Sequence, residues 1–171
     1  LPVVKKGKFK GYVIFTLTLE ERATCPRECY HWDNCYGNNM AFAHRIEHGP
    51  ALEAKLREEI EELCSTYKGV IIRLHVLGDF YSVDYVEFWE DMLFTHPKLC
   101  IFGYTARRGD NIANAIWLMN KRYSERCVIR HSGNYEADTP HESQDPFLED
   151  WSYAAEESFE GKSFICPEQT G

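Results

Sequence analysis

Residues 70–106 read VIIRLHVLGDFYSVDYVEFWEDMLFTHPKLCIFGYTA, and the periodicity of this stretch changes twice. The runs VIIRLHVL (70–77) and CIFGYTA (100–106) are rich in β-branched and aromatic residues, the composition of strands. Between them Val86, Trp89 and Leu93 recur at helical spacing. Ser82 stands where a side-chain oxygen caps a helix, Asp84 falls in its first turn, and Pro97 ends it. Strand, helix and strand in succession form the unit that builds parallel sheets, because a parallel partner is reached only through a crossover.

The same alternation continues on both sides. YVIFTLTL (12–19), CVIRHS (127–132) and SFIC (163–166) read as further strands. In 51–66 Leu52, Leu56, Ile60 and Leu63 make one apolar face, while Glu58, Glu59, Glu61 and Glu62 face water. Asp110 opens another helix, carrying Ile112, Ala113, Ile116 and Trp117. This pattern predicts an α/β fold with a parallel sheet, either open or closed into a partial (β/α) barrel. Residues 134–161 lose the periodicity and are expected to form an irregular excursion or lid, with a short helix around Ser152–Phe159. No internal repeat breaks the chain, so residues 1–171 are expected to form a single α/β domain.

Composition narrows the function classes. A hydrophobic share of 44% excludes a disordered chain. No apolar run approaches the roughly 20 residues that span a bilayer, which predicts a soluble, cytoplasmic protein without membrane partners. The net charge of -8 argues against extended nucleic-acid binding, which is driven by counterion release at many cations. Lys5, Lys6, Lys8 and Lys10 are the dense basic segment, read as a solvated arm.

Seven cysteines cannot all pair, which excludes a complete disulfide framework. Cys64, Cys100 and Cys127 lie in apolar periodic segments and belong to the core. Cys25, Cys29, Cys35 and Cys166 lie in or beside loops. The first three are spaced C-x3-C-x5-C after the first strand, in TCPRECYHWDNCYGNN (24–39), so one loop can wrap three thiolates around one centre. Thiolates gathered without a cation repel one another, and a metal is the natural balancing charge. Three protein thiolates on an iron–sulfur cluster leave one iron open, whereas zinc with four tight ligands would be structural. Cys166 could supply a fourth sulfur, and His31 could replace one cysteine.

The carboxyl ends of parallel strands converge on one rim, where sites form. Arg73 and His75 alternate with Ile72, Leu74 and Val76, which predicts one polar face on this strand. With Arg130 of VIRHS they suggest a pocket for an anion such as a carboxylate or phosphate; buried ion pairs are the structural alternative. Gly78 and Asp79 follow at the strand end, where Asp79 could accept an amine or a metal-bound water, or simply shape a turn. Tyr104, Thr105 and Arg107 are weaker candidates.

LTLEERATCPRECYHWDNCYGNNM, RLHVLGDFYSVDYVEFW, FGYTAR and CPEQT, in this order, resemble the phage and prophage gene product eighty-eight family. The resemblance covers most of residues 16–170 and implies no settled activity. It implies that CPEQT leads into further cysteines, so that Cys166 either shares the site of Cys25, Cys29 and Cys35 or belongs to a second one. A looser likeness is to radical S-adenosylmethionine enzymes, whose cluster loop also follows the first strand of a partial barrel. Their cysteines read C-x3-C-x2-C, where this chain has x5 in the second gap, and their Gly-Gly-Glu motif after the second strand is matched by Gly78 and Asp79. That likeness implies a 4Fe–4S cluster on Cys25, Cys29 and Cys35, beside a cofactor pocket lined by Arg73, His75, Gly78, Asp79 and Arg130. Reductive cleavage of S-adenosylmethionine at the open iron would be its first step. The alternative is a zinc-stabilised binding or adaptor module without catalysis. A metal-assisted hydrolase using Asp79 and His75 ranks last, because no second carboxylate motif accompanies them.

Overall fold

The computed structural model describes residues 2–132. Their elements run β1 (Val13–Thr16), α1 (Glu21–Thr24), a 3-10 turn at Tyr36–Asn39, α2 (Pro50–Thr66), β2 (Val70–Leu74), α3 (Val83–Thr95), β3 (Leu99–Thr105), α4 (Asn111–Arg122) and β4 (Cys127–His131). The four strands form one sheet, all parallel, in the order β1-β2-β3-β4. The expected α/β architecture with a parallel sheet is therefore present. The expected strand at 163–166, the helix at 152–159 and the excursion at 134–161 lie outside the described residues.

Strand order decides how the sheet is covered. When each strand lies beside its predecessor and every crossover has the same hand, the connecting helices fall on one face. Burial follows that geometry. Val70, Ile72 and Leu74 of β2, Leu99 and Ile101 of β3, and Cys127 and Ile129 of β4 are buried against the helices. From the helices come Leu56 and Ile60 of α2, Val86, Trp89 and Leu93 of α3, and Ile116 and Met119 of α4. The alternate residues point the other way: Phe102, Tyr104 and Val128 are 37%, 46% and 39% exposed. At Gly103 a Cβ would stand 2.7 Å from the Leu74 carbonyl oxygen, so the residue must stay small where β3 passes β2.

The helix ends obey the expected chemistry. The Ser82 hydroxyl accepts from the Tyr85 amide at 3.1 Å, and the Asp110 carboxylate accepts from the Ala113 amide at 2.7 Å. Pro50 opens α2, where its missing amide hydrogen costs nothing. Arg126 closes the other end of α3 by donating to the carbonyls of Leu93, His96 and Leu99. Cys64, Cys100 and Cys127 are buried, as expected of small hydrophobes.

Two strands are shorter than their sequence runs. β1 ends at Thr16, and residues 17–19 continue beside residues 73–77 through Leu17 N to Arg73 O, Val76 N to Leu17 O and Leu19 N to Leu77 O. β2 ends at Leu74 because His75 adopts φ +55, a left-handed conformation that interrupts the pleat. The period-two expectation holds for Arg73 and fails one alternation later, since a backbone reversal resets which way each side chain points.

Because Leu93 is fully buried, Leu93→Ala should lower unfolding stability by about 3 kcal/mol through lost transfer energy and a residual cavity. Leu118→Ala, at a residue 49% exposed on the next helix, should change it by less than about 0.5 kcal/mol. Urea unfolding of the two variants beside the parent checks both.

Candidate functional site

Three loops leave the carboxyl ends of β1, β2 and β3, and one buried carboxylate ties them together. Asp79 is 2% exposed. Its Oδ1 accepts from the Phe80 amide and the Thr105 hydroxyl, each at 2.7 Å, and its Oδ2 accepts from the Ala106 amide at 2.7 Å. The Asp79 amide in turn donates to the Thr24 hydroxyl at 3.1 Å, and that hydroxyl donates to the Glu20 carbonyl at 2.8 Å. Burial pushes the Asp79 carboxyl up to about 6, outweighing the three donors and the nearby Arg107 guanidinium, which all favour the charged form.

Arg107 bolts the same loops from the side. Its Nε donates to the Phe80 carbonyl and its Nη2 to the Thr24 carbonyl, both at 2.9 Å, while Nη1 lies 3.6 Å from Asp110 Oδ2. Gly78 makes the approach possible. It holds φ +91, and a Cβ there would sit 2.7 Å from Leu19 Cβ and 2.8 Å from Thr24 Oγ1. Gly78 and Asp79 are thus joints of the rim in this structure, and protein donors already fill three of the roughly four lone-pair positions of the Asp79 carboxylate.

The cysteine loop begins at this knot. Beyond α1 it has little regular structure, and two arginines hold its path. Arg45 meets the buried Glu21 carboxylate through both branches, Nε to Oε2 at 2.8 Å and Nη2 to Oε1 at 3.0 Å, and also donates to the carbonyls of Gly37, Met40 and Ala43. That pairing holds the Glu21 carboxyl below its ordinary range. Arg22, the next residue, donates to the Trp32 carbonyl at 2.7 Å and to Asn38 Oδ1 at 2.8 Å while its guanidinium stands 4.7 Å from the Trp32 ring centre.

Cys25, Cys29 and Cys35 are free thiols, each half-buried, on this fixed loop. Burial pushes Cys25 up to about 12, with the Asp79 carboxylate, the Cys29 and Cys35 sulfurs and Glu21 adding to the rise. Cys29 is raised as well, first by burial, then by Asp79 and Cys35 against a favourable His31 amide. The three sulfurs and Asp79 therefore share one electrostatic neighbourhood. Among the described residues, no group of three His, Cys, Asp or Glu side chains is arranged to hold a metal ion. His31 is exposed and edge-on to the Tyr30 ring at 5.0 Å. Cys166 lies outside the described residues.

The expected anion pocket is divided. Arg73 is half-buried on the face away from the helices, and Arg130 stands on that face two strands along. His75 leaves them. Its ring packs edge-on to Phe80 at 4.6 Å, and its Nε2 lies 3.2 Å from the Tyr85 hydroxyl. Burial lowers its pKa to about 3, so it is a neutral core residue and does not face an anion beside Arg73. Thr105 and Arg107, minor candidates from sequence, turn out central, whereas the parts played by Glu21, Arg22, Thr24 and Arg45 carry no spacing signature. Their only sequence signal is a cluster of hydrogen-bonding residues flanking a loop too long to hold itself.

The raised carboxyl of Asp79 sets a pH dependence. A group whose folded value, about 6, exceeds its unfolded value of 3.8 stabilises the fold below the unfolded value and loses that contribution as pH rises through the folded one. In the metal-free chain, stability relative to Asp79→Asn should fall by about 2 to 3 kcal/mol between roughly pH 4 and pH 7 and then level off. Urea unfolding of both proteins across that range checks it, and a difference independent of pH would contradict the raised value.

Comparison with known proteins adds one match. Neither the curated proteins nor the solved structures contain a match to the chain. A family model described as Gene product 88 matches residues 4–124. That span takes in the cysteine loop, the Gly78–Asp79 turn and Arg107, and covers more than half of the 171 residues; the chain belongs to the gene product 88 family.

Proposed function

We propose that this protein binds an iron–sulfur cluster through Cys25, Cys29 and Cys35. The observation that carries the reading is the shared environment of three half-buried thiols at the rim of a parallel sheet. Burial and the nearby Asp79 carboxylate hold the Cys25 and Cys29 thiols protonated, so a cationic group is needed to gather them as thiolates. Arg22 and Arg45 brace the loop that presents them, which lowers the ordering cost of binding.

Spacing leans toward a cluster and away from a single zinc, since the chain has no C-x2-C pair. Zinc needs its sulfur donors about 2.3 Å from one point. A cluster spreads three cysteines over separate irons, and three ligands leave the fourth iron of a 4Fe–4S group open. Consecutive parallel strands with helices on one face, and a cysteine loop after the first strand, also fit the partial barrel of radical S-adenosylmethionine enzymes. When bound, such a cluster would supply an open coordination position and a single electron for S-adenosylmethionine. In that reading Asp79 and Gly78 set the rim, Arg107 holds the cysteine loop to it, and Arg73 and Arg130 face the ligand. All six described cysteines are unpaired, which suits a reducing, cytosolic setting. Among the described residues no helix is long and apolar enough to cross a membrane.

Protein reconstituted anaerobically with iron and sulfide should turn brown and retain both at cluster stoichiometry. Cys25→Ser, Cys29→Ser and Cys35→Ser should each lose most of the bound iron, whereas Cys64→Ser should keep it. Colourless protein with one tightly held zinc would instead establish the adaptor reading. Release of 5'-deoxyadenosine from S-adenosylmethionine by the reduced protein would separate a radical enzyme from a cluster carrier.

A further inference from the structure

The face of the sheet opposite the helices has a composition of its own. Parallel sheets are ordinarily covered on both faces, and a strand buried on both sides is apolar throughout. Here Phe102 and Tyr104 lie two residues apart on β3, 37% and 46% exposed, with Val128 at the register of Phe102. Arg73 pairs in register with Phe102 from one side, and Arg130 with Tyr104 from the other. Strands β1 to β4 contain no Asp or Glu, so they bring no carboxylate to this face. Arg73 is half-buried, and its side chain makes no hydrogen bond or ion pair among the described residues.

We propose that this face binds a free nucleotide, its base stacked on Tyr104 and Phe102 and its phosphate held by Arg73 from β2. Sheet geometry sets the scale. Arg73 stands one strand spacing, about 5 Å, from the Phe102 backbone and about 8 Å from that of Tyr104, so a phosphate on its guanidinium lies within reach of a base on either ring. A half-buried arginine beside exposed rings favours a ligand that is both planar and anionic, since guanidinium prefers forked phosphate contacts and aromatic faces prefer stacked bases. A polynucleotide is the poorer occupant. It needs a track of cations, whereas this face offers two arginines on a chain of net charge -8. The inference shares Arg73 with the cofactor pocket proposed above, and nucleotide binding by the iron-free chain tests the sheet face apart from the cluster.

The test is calorimetric titration of the full chain, iron-free and iron-loaded, with nucleoside monophosphates, the matching nucleosides, inorganic phosphate and a short single-stranded oligonucleotide. Nucleotides should bind saturably in both forms. Arg73→Gln should weaken nucleotide binding about tenfold or more while leaving nucleoside binding unchanged. Tyr104→Ser should weaken both about fivefold or more. Arg57→Gln, which breaks an exposed pair with Asp91 and a ring contact with Phe88 on the helical side, should match the parent. The proposal is overturned by the absence of saturable nucleotide binding, by an Arg73→Gln titration equal to the parent's, or by inorganic phosphate binding as tightly as nucleotide. An oligonucleotide that binds far more tightly than a mononucleotide would overturn it in favour of a polynucleotide surface. Loss of iron binding alone changes none of these arms.

Discussion

A carboxylate buried at the end of β2 is the constraint on which the rest of this structure turns. Asp79 gathers donors from its own loop and from the loop after β3, while its amide reaches the threonine that precedes Cys25. Burying such a group is costly unless every donor is in place, so the three loops must assemble together or not at all. Arg107 locks the same arrangement by binding one carbonyl on each of two loops. The cysteine loop thus inherits its starting point from the most determined part of the sheet edge, and Glu21–Arg45 and Arg22 carry that order outward.

This division of labour separates the rim from the face. At the rim, polar side chains spend their hydrogen bonds on the protein, and the cysteines stand as half-buried thiols beside them. On the face, aromatic rings and arginines stand where helices would lie in a doubly covered sheet. The strand order explains both, because consecutive parallel strands put all crossovers on one side and all turning loops at one end.

Much of the fold was legible in the sequence. Apolar spacing located α2, α3 and α4 to within a few residues, and Ser82 and Asp110 marked two of their starts, because period and capping are local properties of the chain. The strand runs at 70–77 and 12–19 overshot, since composition cannot reveal that His75 takes a left-handed backbone that ends the pleat. The same reversal moved His75 from an expected ligand face into an aromatic core with Phe80 and Tyr85. Asp79 was recognisable as unusual but not as a joint, because its partners Thr24, Thr105 and Ala106 are distant in sequence. Arg22 and Arg45 were illegible for a related reason: their side-chain partners Asn38 and Glu21 lie 16 and 24 residues away, and their other bonds go to backbone carbonyls, which every residue has.

The central claim is that Cys25, Cys29 and Cys35 share one iron–sulfur group at this rim. Mössbauer spectroscopy of the chain reconstituted with isotopically enriched iron tests it most directly, by reporting the nuclearity of the bound iron and the equivalence of its sites. The account predicts a 4Fe–4S spectrum in which one iron responds to added S-adenosylmethionine and three do not. A spectrum of isolated iron alone, or no iron retained, would contradict it.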